Sequence, residues 1–334
     1  MKHILLSKNS ITKEMKPKIV VIDAYTLLRD DIKEWKTLED FGEVTIYDRT
    51  SPEDISERIK GCEIILTNKV VLTRRHFEEN PNLRYIGILA TGTNVVDLQA
   101  AREHGIVVTN IPAYSTESVA QTVFAHLFNV VNKVAYYNEQ NHNGKWSACP
   151  DMCYLDFPFH ELCNMTMGIV GLGNIGMRVA AIAHAFGMKV NAFTSKHEDA
   201  LPTYINKCCL SNLYASSDVI SLHCPLTPDT EKMINKSSIN LMRTNAIIIN
   251  TGRGPLVDEH DVANALRENR IQAYCTDVMS VEPPHPDNPL LHEKNAFITP
   301  HLGWATIEAR MRLKDIADEN IRHYLKGCLV NVVN

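Results

Sequence analysis

The fold of this chain is decided by the stretch Met167-Gly168-Ile169-Val170-Gly171-Leu172-Gly173-Asn174-Ile175-Gly176, which opens the helical pattern of residues 177–186. An apolar strand that leads into glycines at this spacing and then into a helix is typical of dinucleotide binding. Gly171 permits a tight turn, Gly173 lets a pyrophosphate approach the backbone, and Gly176 lets the helix pack close to the strand. We therefore expect this turn, including Asn174 and Ile175, to hold a cofactor phosphate at the helix N terminus.

Outward from this motif, short apolar runs alternate with helix-compatible segments. The series that begins at 167–170 continues at 189–193, 218–222, 246–250, 272–276 and 296–298, and an earlier series comprises 18–22, 44–47, 63–66, 85–89 and 106–108. Such alternation predicts βαβ units with parallel strands. The sequence thus predicts an α/β protein with two doubly wound parallel-sheet domains, one flavodoxin-like and one of the Rossmann dinucleotide-binding type.

Two helical patterns mark the domain boundaries. One helix is expected over Glu117–Asn141 as the connection between the domains, and another over Thr306–Lys326 that returns the chain to the first domain. The predicted domains are residues 1–113 with 305–334, for the substrate, and residues 114–304, for the cofactor. The apolar start of the chain ends at Ser7, which is too short for a signal-peptide core, so residues 1–16 are expected to be a frayed extension.

The composition argues against several partner classes. The 334 residues are 45% hydrophobic and 22% charged with a net charge of −5 of mixed sign, which provides no basic stripe for nucleic acid. No apolar run approaches the roughly 18 residues that a membrane helix needs. We expect a cytoplasmic protein whose partners include neither nucleic acid nor a membrane.

Nine cysteines without regular spacing indicate reduced thiols of a cytosolic protein. The tightest group, Cys149, Cys153, His160 and Cys163, fits none of the usual zinc spacings. We interpret it as a loop with buried thiols and expect no metal site.

The end of the second strand of the cofactor domain bears on the choice of cofactor. NAD sites usually place a carboxylate there to accept from the ribose hydroxyls, about 20 residues after the glycines. This chain has Thr194, followed by Ser195 and Lys196, which can donate to a 2′-phosphate. The pattern favours NADP(H), with NAD(H) as the alternative if these are ordinary loop residues.

Three further segments each follow a predicted strand: Asn250-Thr251-Gly252-Arg253-Gly254, Asp277 to Pro283, and Thr299-Pro300-His301. An open α/β sheet presents its ligands at the carboxyl ends of its strands. Together with the glycine motif, these segments resemble the D-isomer-specific 2-hydroxyacid dehydrogenases over nearly the whole chain. The resemblance implies a hydride-transferring oxidoreductase for a small D-2-hydroxy acid and its 2-keto acid.

The resemblance places the catalytic groups at Arg253, Glu282 and His301, and the chemistry of these side chains supports it. Reduction of a keto acid needs a proton donor at the carbonyl oxygen, and an imidazole can give and retake that proton near neutrality. Glu282 would orient the ring and favour its protonated form. Arg253 offers a planar fork of donors to the substrate carboxylate and keto oxygen.

The resemblance also implies the rest of the pocket. The first domain would hold the substrate through the backbone of Thr91 and Gly92, with Lys69 as an added charge or simply a solvated lysine. The cofactor domain would hold the nicotinamide and its ribose through a set of four residues: Thr122, Cys224, Pro225 and Asp277. A strand-end cap is the alternative role of Asp277.

Within the family, the segments 144–158 and 277–290 resemble the glycerate dehydrogenase (hydroxypyruvate reductase) branch, so D-glycerate/hydroxypyruvate is the expected pair, with glyoxylate also a candidate. A D-lactate-type dehydrogenase stays open because the residues that read the substituent cannot be placed from the sequence. An alternative from another class is an NAD-sensing corepressor-like binding protein. The intact Arg253, Glu282 and His301 favour an enzyme.

The loop Trp146–Phe159 bears on assembly. It holds six large apolar side chains: Trp146, Met152, Tyr154, Leu155, Phe157 and Phe159. The family that the chain resembles dimerises through the cofactor domain, and an isolated loop has little means to bury these side chains. We therefore expect a homodimer formed mainly through the cofactor domain, with this loop contributing. The alternative is that the loop packs on its own domain.

Overall fold

A computed structural model describes residues 16–29, 32 and 34–334. The chain forms two compact units, one from the described part of Met1–Tyr114 with Arg310–Asn334, and one from Ser115–Ala309. The expected N-terminal extension, residues 1–16, lies outside the described residues except for Lys16.

The first unit is built on a parallel sheet of β1 (Lys18–Val21), β2 (Glu43–Ile46), β3 (Ile64–Thr67), β4 (Tyr85–Ile88) and β5 (Val107–Thr109). The strand order is 2-1-3-4-5, which is the flavodoxin-like order. Its helices in this part of the chain are α1 (Ile55–Arg58), α2 (Arg74–Glu79) and α3 (Leu98–Glu103). Every residue of β3 and β4 is buried, as expected for central parallel strands covered on both faces.

The second unit has a parallel sheet of β6 (Thr166–Val170), β7 (Lys189–Phe193), β8 (Ile205–Lys207), β9 (Val219–Leu222), β10 (Ile247–Asn250), β11 (Ala273–Thr276) and β12 (Ala296–Ile298). The order is β12-β11-β10-β9-β6-β7-β8. Strands β7 and β8 are added on one side of β6, and β9 to β12 are added on the other. The boundary between β6 and β9 is therefore the switch point of the Rossmann fold, where ligands bind. The prediction of two parallel-sheet α/β domains is confirmed.

The helices of the second unit are α4 (Thr116–Asn132), α5 (Val134–His142), α6 (Asn174–Ala185), α7 (Leu210–Ser216), α8 (Lys236–Ile239) and α9 (Glu259–Arg267), and α10 (Ile307–Leu325) returns the chain to the first unit. The prediction of one helix over Glu117–Asn141 is wrong. Lys133 adopts a left-handed conformation with a φ of 49° and divides the stretch into α4 and α5. The side chains of α4 continue the apolar spacing into the core, whereas α5 has no buried residue, so periodicity alone did not reveal the break.

β8 was not predicted from the sequence, because only Ile205 of its three residues is buried and the strand contains no apolar run. Among the described residues, no helix is both long and apolar enough to span a membrane.

Candidate active site

The glycine turn after β6 has the close packing that its motif requires. Gly171 lies at a φ of 94°, a conformation that side chains disfavour. A Cβ on Gly176 would lie 2.0 Å from the carbonyl oxygen of Gly171, so glycine lets α6 begin this close to the strand. A Cβ on Gly173 would meet no atom within 4 Å. This open space lies at the start of α6, where the N–H groups of Asn174 and Ile175 have no partner within the helix, and a pyrophosphate fits there.

The loop after β7 carries the residues expected to read the ribose. Thr194 Oγ1 accepts from the backbone N–H of Lys196 at 3.2 Å, and the side chains of Ser195 and Lys196 are exposed. The Lys207 ammonium donates to the carbonyl oxygen of Lys196 at 2.6 Å. Lys207 thus adds a second cation to this loop. Its place was not predictable from the sequence, because it lies on β8, a three-residue strand with one buried side chain.

The loop after β9 lies against the glycine turn. A Cβ on Gly171 would lie 2.7 Å from the backbone nitrogen of Cys224, so these two predicted cofactor residues are in direct proximity. The Pro225 carbonyl accepts from Thr230 Oγ1 at 2.7 Å, which fixes the loop. Burial lowers the pKa of the neighbouring His223 to about 4, so this ring, 2.8 Å from Ser221 Oγ, is neutral near pH 7.

His301 and Glu282 form a hydrogen-bonded histidine–carboxylate pair. His301 Nδ1 lies 2.7 Å from Glu282 Oε2, and the two side chains are 34% and 35% exposed. The other carboxylate oxygen accepts from the backbone N–H of Met279 at 3.0 Å, which orients Glu282. Because Nδ1 is committed to the carboxylate, Nε2 is the ring nitrogen left to exchange a proton with a bound molecule.

Arg253 follows β10, and the order of the neighbouring strands is β10-β11-β12, so the three predicted catalytic residues all follow carboxyl ends at one edge of the sheet. Buried Asn250 holds this loop, with Oδ1 accepting from Gly252 N at 3.1 Å and Nδ2 donating to the Arg253 carbonyl at 2.9 Å. A Cβ on Gly254 would lie 2.0 Å from the backbone carbon of Met279, so the loop after β10 packs directly on the segment that leads to Glu282. The Arg253 side chain is exposed.

Asp277 does more than cap a strand end. Its buried carboxylate accepts from Thr299 Oγ1 at 2.6 Å, Leu302 N at 2.8 Å and Gly303 N at 2.7 Å. A Cβ on Gly303 would lie 3.6 Å from Thr122 Oγ1, which places Thr122 of α4 beside the same segment. Asp277 therefore anchors the backbone on both sides of His301.

In the first unit, the loop after β4 offers unused backbone donors. Thr91 Oγ1 donates to the Ile111 carbonyl at 2.8 Å, and the Thr91 carbonyl accepts from Asn110 Nδ2 at 2.8 Å. The backbone N–H groups of Thr91 and Gly92 make no hydrogen bond with any described residue. Two such free donors on one fixed loop suit a carboxylate.

Lys69 lies on the neighbouring loop after β3, which is organised by Asp23. The Asp23 carboxylate accepts from the backbone N–H groups of Asn68, Lys69 and Val70, at 2.7 Å for Asn68 and 3.0 Å for Val70. Burial raises the pKa of Asp23 in spite of these bonds, which lower it. The Lys69 side chain is exposed at a groove of about 700 Å³ within the first unit. Asp23 was missed by sequence analysis, although its place directly after β1 was a usable signal.

The interpretation of the cysteine group as buried thiols is wrong. Cys153 and Cys163 are exposed and Cys149 is half-buried, since their segment carries no regular structure that could cover them. All nine cysteines lie in the described part of the chain and are free thiols. Within that part, no group of three or more potential ligands is arranged to hold a metal ion.

A Rossmann unit with a histidine–glutamate pair and an arginine at its carboxyl edge defines a dehydrogenase class of site. A profile of the "D-isomer specific 2-hydroxyacid dehydrogenase, NAD binding domain" matches residues 124–303. The chain belongs to this family and is a D-2-hydroxyacid dehydrogenase enzyme, so the resemblance seen in the sequence is confirmed.

Individual relatives match over almost their whole length. The chain is 47% identical to a hydroxypyruvate reductase of Blautia hydrogenotrophica, over 95% of this chain and 99% of the relative. It is 36% identical to a glycerate dehydrogenase of Methylorubrum extorquens, over 96% and 99%. Among solved structures, an acyclic imino acid reductase in complex with NADPH and D-Arg is similar with a TM-score of 0.84 and 30% identity, over 95% of this chain and 100% of that chain.

Proposed function

We propose that this enzyme interconverts hydroxypyruvate and D-glycerate, with glyoxylate as a further substrate. The observation that carries the proposal is the 2.7 Å pair of His301 and Glu282 at the same sheet edge as Arg253. The names of the two relatives described above, a hydroxypyruvate reductase and a glycerate dehydrogenase, support the choice of substrate.

The roles of the catalytic residues follow from their atoms. In the reducing direction, His301 Nε2 donates a proton to the keto oxygen, and in the oxidising direction the neutral ring takes it back. Glu282 holds the ring through Nδ1 and stabilises its charged form. Arg253 polarises the keto oxygen and pairs with the carboxylate through its guanidinium fork. The nicotinamide cofactor, when bound, supplies or accepts the hydride at the substrate carbon.

The substrate carboxylate is held by the first unit. We assign it to the free backbone N–H groups of Thr91 and Gly92, because these donors have no partner among the described residues. Lys69 adds positive charge from the loop that Asp23 fixes.

For the cofactor, the glycine turn with Asn174 and Ile175 would hold the pyrophosphate. The ribose would be held by Thr194, Ser195 and Lys196. The nicotinamide half would be held by a set of four residues: Thr122, Cys224, Pro225 and Asp277. We infer a preference for NADP(H), because the Lys207 ammonium binds the backbone carbonyl of Lys196 at the strand tip and no carboxylate occupies position 194. The similar imino acid reductase is in complex with NADPH. NAD(H) is the alternative.

A substrate panel tests the proposal. Hydroxypyruvate, glyoxylate, pyruvate and phosphohydroxypyruvate are each supplied with NADH and with NADPH, and oxidation is followed at the nicotinamide absorbance. We expect the highest kcat/KM for hydroxypyruvate with NADPH. A higher kcat/KM for pyruvate would favour a D-lactate-type enzyme, and binding of the dinucleotide without turnover of any acid would contradict the enzyme role.

Removal of one positive charge tests the cofactor preference. Lys207→Gln removes one cation from the strand tip, and Lys189→Gln makes the same change at the other end of β7 as a control. We expect the first variant to lower kcat/KM for NADPH about tenfold, the loss of roughly 1.4 kcal/mol of binding, with little change for NADH. A wild-type enzyme that prefers NADH would overturn the preference.

We also propose a cytoplasmic location, which the nine free thiols support. A further proposal is that the protein is a homodimer whose interface includes the loop Trp146–Phe159. Phe157 and Phe159 contact Tyr136 and Tyr137 of their own chain, but Trp146, Met152 and Leu155 are 54%, 88% and 73% exposed. Such exposed apolar area suits a protein surface. Light scattering on the wild type and on Met152→Asp tests it: a monomeric wild type contradicts the dimer, and an unperturbed variant dimer moves the interface away from Met152.

A further inference from the structure

We propose that His126 is a positioning residue that fixes the catalytic segment Thr299–Gly303 from helix α4, by way of Thr299 and Asp277. The inference rests on the proposed catalytic role of His301. It adds a residue that touches neither the reacting atoms nor the glycine motif, and it gives α4 a part in holding the proton donor.

The segment needs such support because of its own backbone. His301 has a φ of 54°, in the left-handed region that residues with a side chain disfavour. Backbone in this region persists where surrounding contacts determine it. Within the segment itself, the His301 N–H donates to the Thr299 carbonyl at 3.0 Å, which closes a tight turn. The position of the imidazole therefore depends on how firmly Thr299 and the residues after His301 are held.

Asp277 holds both sides of this turn. Its Oδ1 accepts from Thr299 Oγ1 at 2.6 Å and from Leu302 N at 2.8 Å, and its Oδ2 accepts from Gly303 N at 2.7 Å. A hydroxyl has a single proton, so the Thr299 hydroxyl that donates to Asp277 can only accept from a third group. A donor that binds the Thr299 oxygen would therefore keep the hydroxyl proton directed at Asp277, and we assign this role to His126.

His126 supplies the third group. Its Nε2 lies 3.1 Å from Thr299 Oγ1, and because Oγ1 accepts there, the proton of the ring is on Nε2. The side chain is 6% exposed, on a helix whose neighbouring residues Val123 and Leu127 are fully buried in the core. Burial lowers the pKa of His126, against the opposing effect of the Asp277 charge, so the neutral ring is the species that donates. A rigid helix is thereby linked to the catalytic turn through Nε2, Oγ1 and Oδ1.

The same helix carries Thr122, one turn before His126, and Thr122 Oγ1 is 3.6 Å from where a Cβ on Gly303 would lie. Helix α4 therefore contacts the catalytic segment near both of its ends. A displacement of the segment by about 1 Å can reduce turnover by up to about 100-fold without a change in binding. Loss of the His126 donor is expected to act on kcat in this way.

The test compares His126→Leu, which fills a similar volume without a donor, with His126→Gln, whose amide nitrogen can reach the place of Nε2. For His126→Leu we expect kcat to fall by about 10-fold or more, with KM for the keto acid and Kd for NADPH each within about threefold of wild type. His126→Gln should recover most of the turnover. Thr299→Val removes the relay, so His126→Leu should cause no additional loss in that background. If His126→Leu does not fold, His126→Gln and Thr299→Val are compared with wild type in the same assays.

Several outcomes would overturn the proposal: a kcat of His126→Leu within twofold of wild type, an equal loss in the leucine and glutamine variants, or a full additional loss in the Thr299→Val background. Hydrogen exchange of the peptide that contains Leu302 and Gly303 is measured alongside and should become faster in His126→Leu. That readout does not depend on turnover. An inactive wild type with this exchange change would reject the proposed function alone, whereas an active wild type with unchanged exchange and turnover in the variant would reject the role of His126 alone.

Discussion

Gly176→Ala measures how closely helix α6 must approach strand β6. The added Cβ would lie 2.0 Å from the Gly171 carbonyl oxygen and 3.3 Å from a side-chain carbon of Ile169. Cβ atoms essentially never come within 3.0 Å of such atoms, so the first turn of α6 has to move by about 1 Å. Because the atom that is met is backbone, no side-chain rotation can relieve the contact.

The expected cost is at the upper end of the range for overpacking, about 1–3 kcal/mol. In a unit of about 200 residues, the upper value of about 3 kcal/mol corresponds to a melting temperature lower by about 6–12 °C. The same movement takes the N–H groups of the first turn away from the pyrophosphate, and we expect the Kd for NADPH to rise at least about tenfold, or about 1.4 kcal/mol.

Gly173→Ala is the matched control, because its Cβ would meet no atom within 4 Å. It should melt within about 1 °C of wild type, since nothing is overpacked, yet still bind NADPH more weakly because the methyl occupies the approach of the pyrophosphate. Calorimetry without cofactor and a fluorescence titration with NADPH separate the two effects. A Gly176→Ala protein that melts and binds like wild type would refute the packing argument.

Three other predictions concern protons. His301→Ala should lower kcat by a factor of about 10² or more while the Kd for NADPH is retained, because the proton donor is lost and the glycine turn is not; wild-type turnover would remove His301 from the mechanism. Glu282→Gln should also lower kcat, because the neutral amide replaces the carboxylate that binds His301 Nδ1 at 2.7 Å and orients the ring; an unchanged kcat would contradict the pairing. Burial lowers the pKa of His223 in the folded protein to about 4, whereas the unfolded chain binds this proton near pH 6.5. The melting temperature should therefore fall as the pH decreases from about 6.5 towards 4. His223→Asn should make this pH dependence weaker, and an equally steep decline in the variant would assign the dependence to other groups.

Much of this molecule follows from local sequence pattern. Parallel strands that are buried on both faces give uninterrupted apolar runs, such as Ile247-Ile248-Ile249, and the glycine motif specifies its own turn, so the two sheets were predictable. The pairing of His301 with Glu282 followed only from the family resemblance, because 19 residues separate them in the chain.

What the sequence did not reveal depends on contacts across the sheet. The partners of Asp277 and the link from His126 to Thr299 join residues far apart in the chain, 173 positions in the latter case. Lys207 stands on an edge strand of three residues with one buried side chain, which leaves almost no pattern. The break at Lys133 reflects a single left-handed residue that periodicity cannot distinguish from a continuous helix.

The division of the first unit between the two ends of the chain also sets an order for synthesis. Arg310 donates to the Leu27 carbonyl at 3.2 Å, and Asp318 accepts from Trp35 Nε1 at 2.8 Å, so the buried residues Leu27 and Trp35 have hydrogen-bond partners on α10. Between them the ribosome must translate Ser115–Ala309, which at about 5–20 residues per second takes roughly 10–40 s. Throughout that interval Trp35 lacks its partner, while the contiguous second unit can complete its own sheet. The nascent enzyme is therefore expected to become competent for its cofactor before its substrate unit is finished.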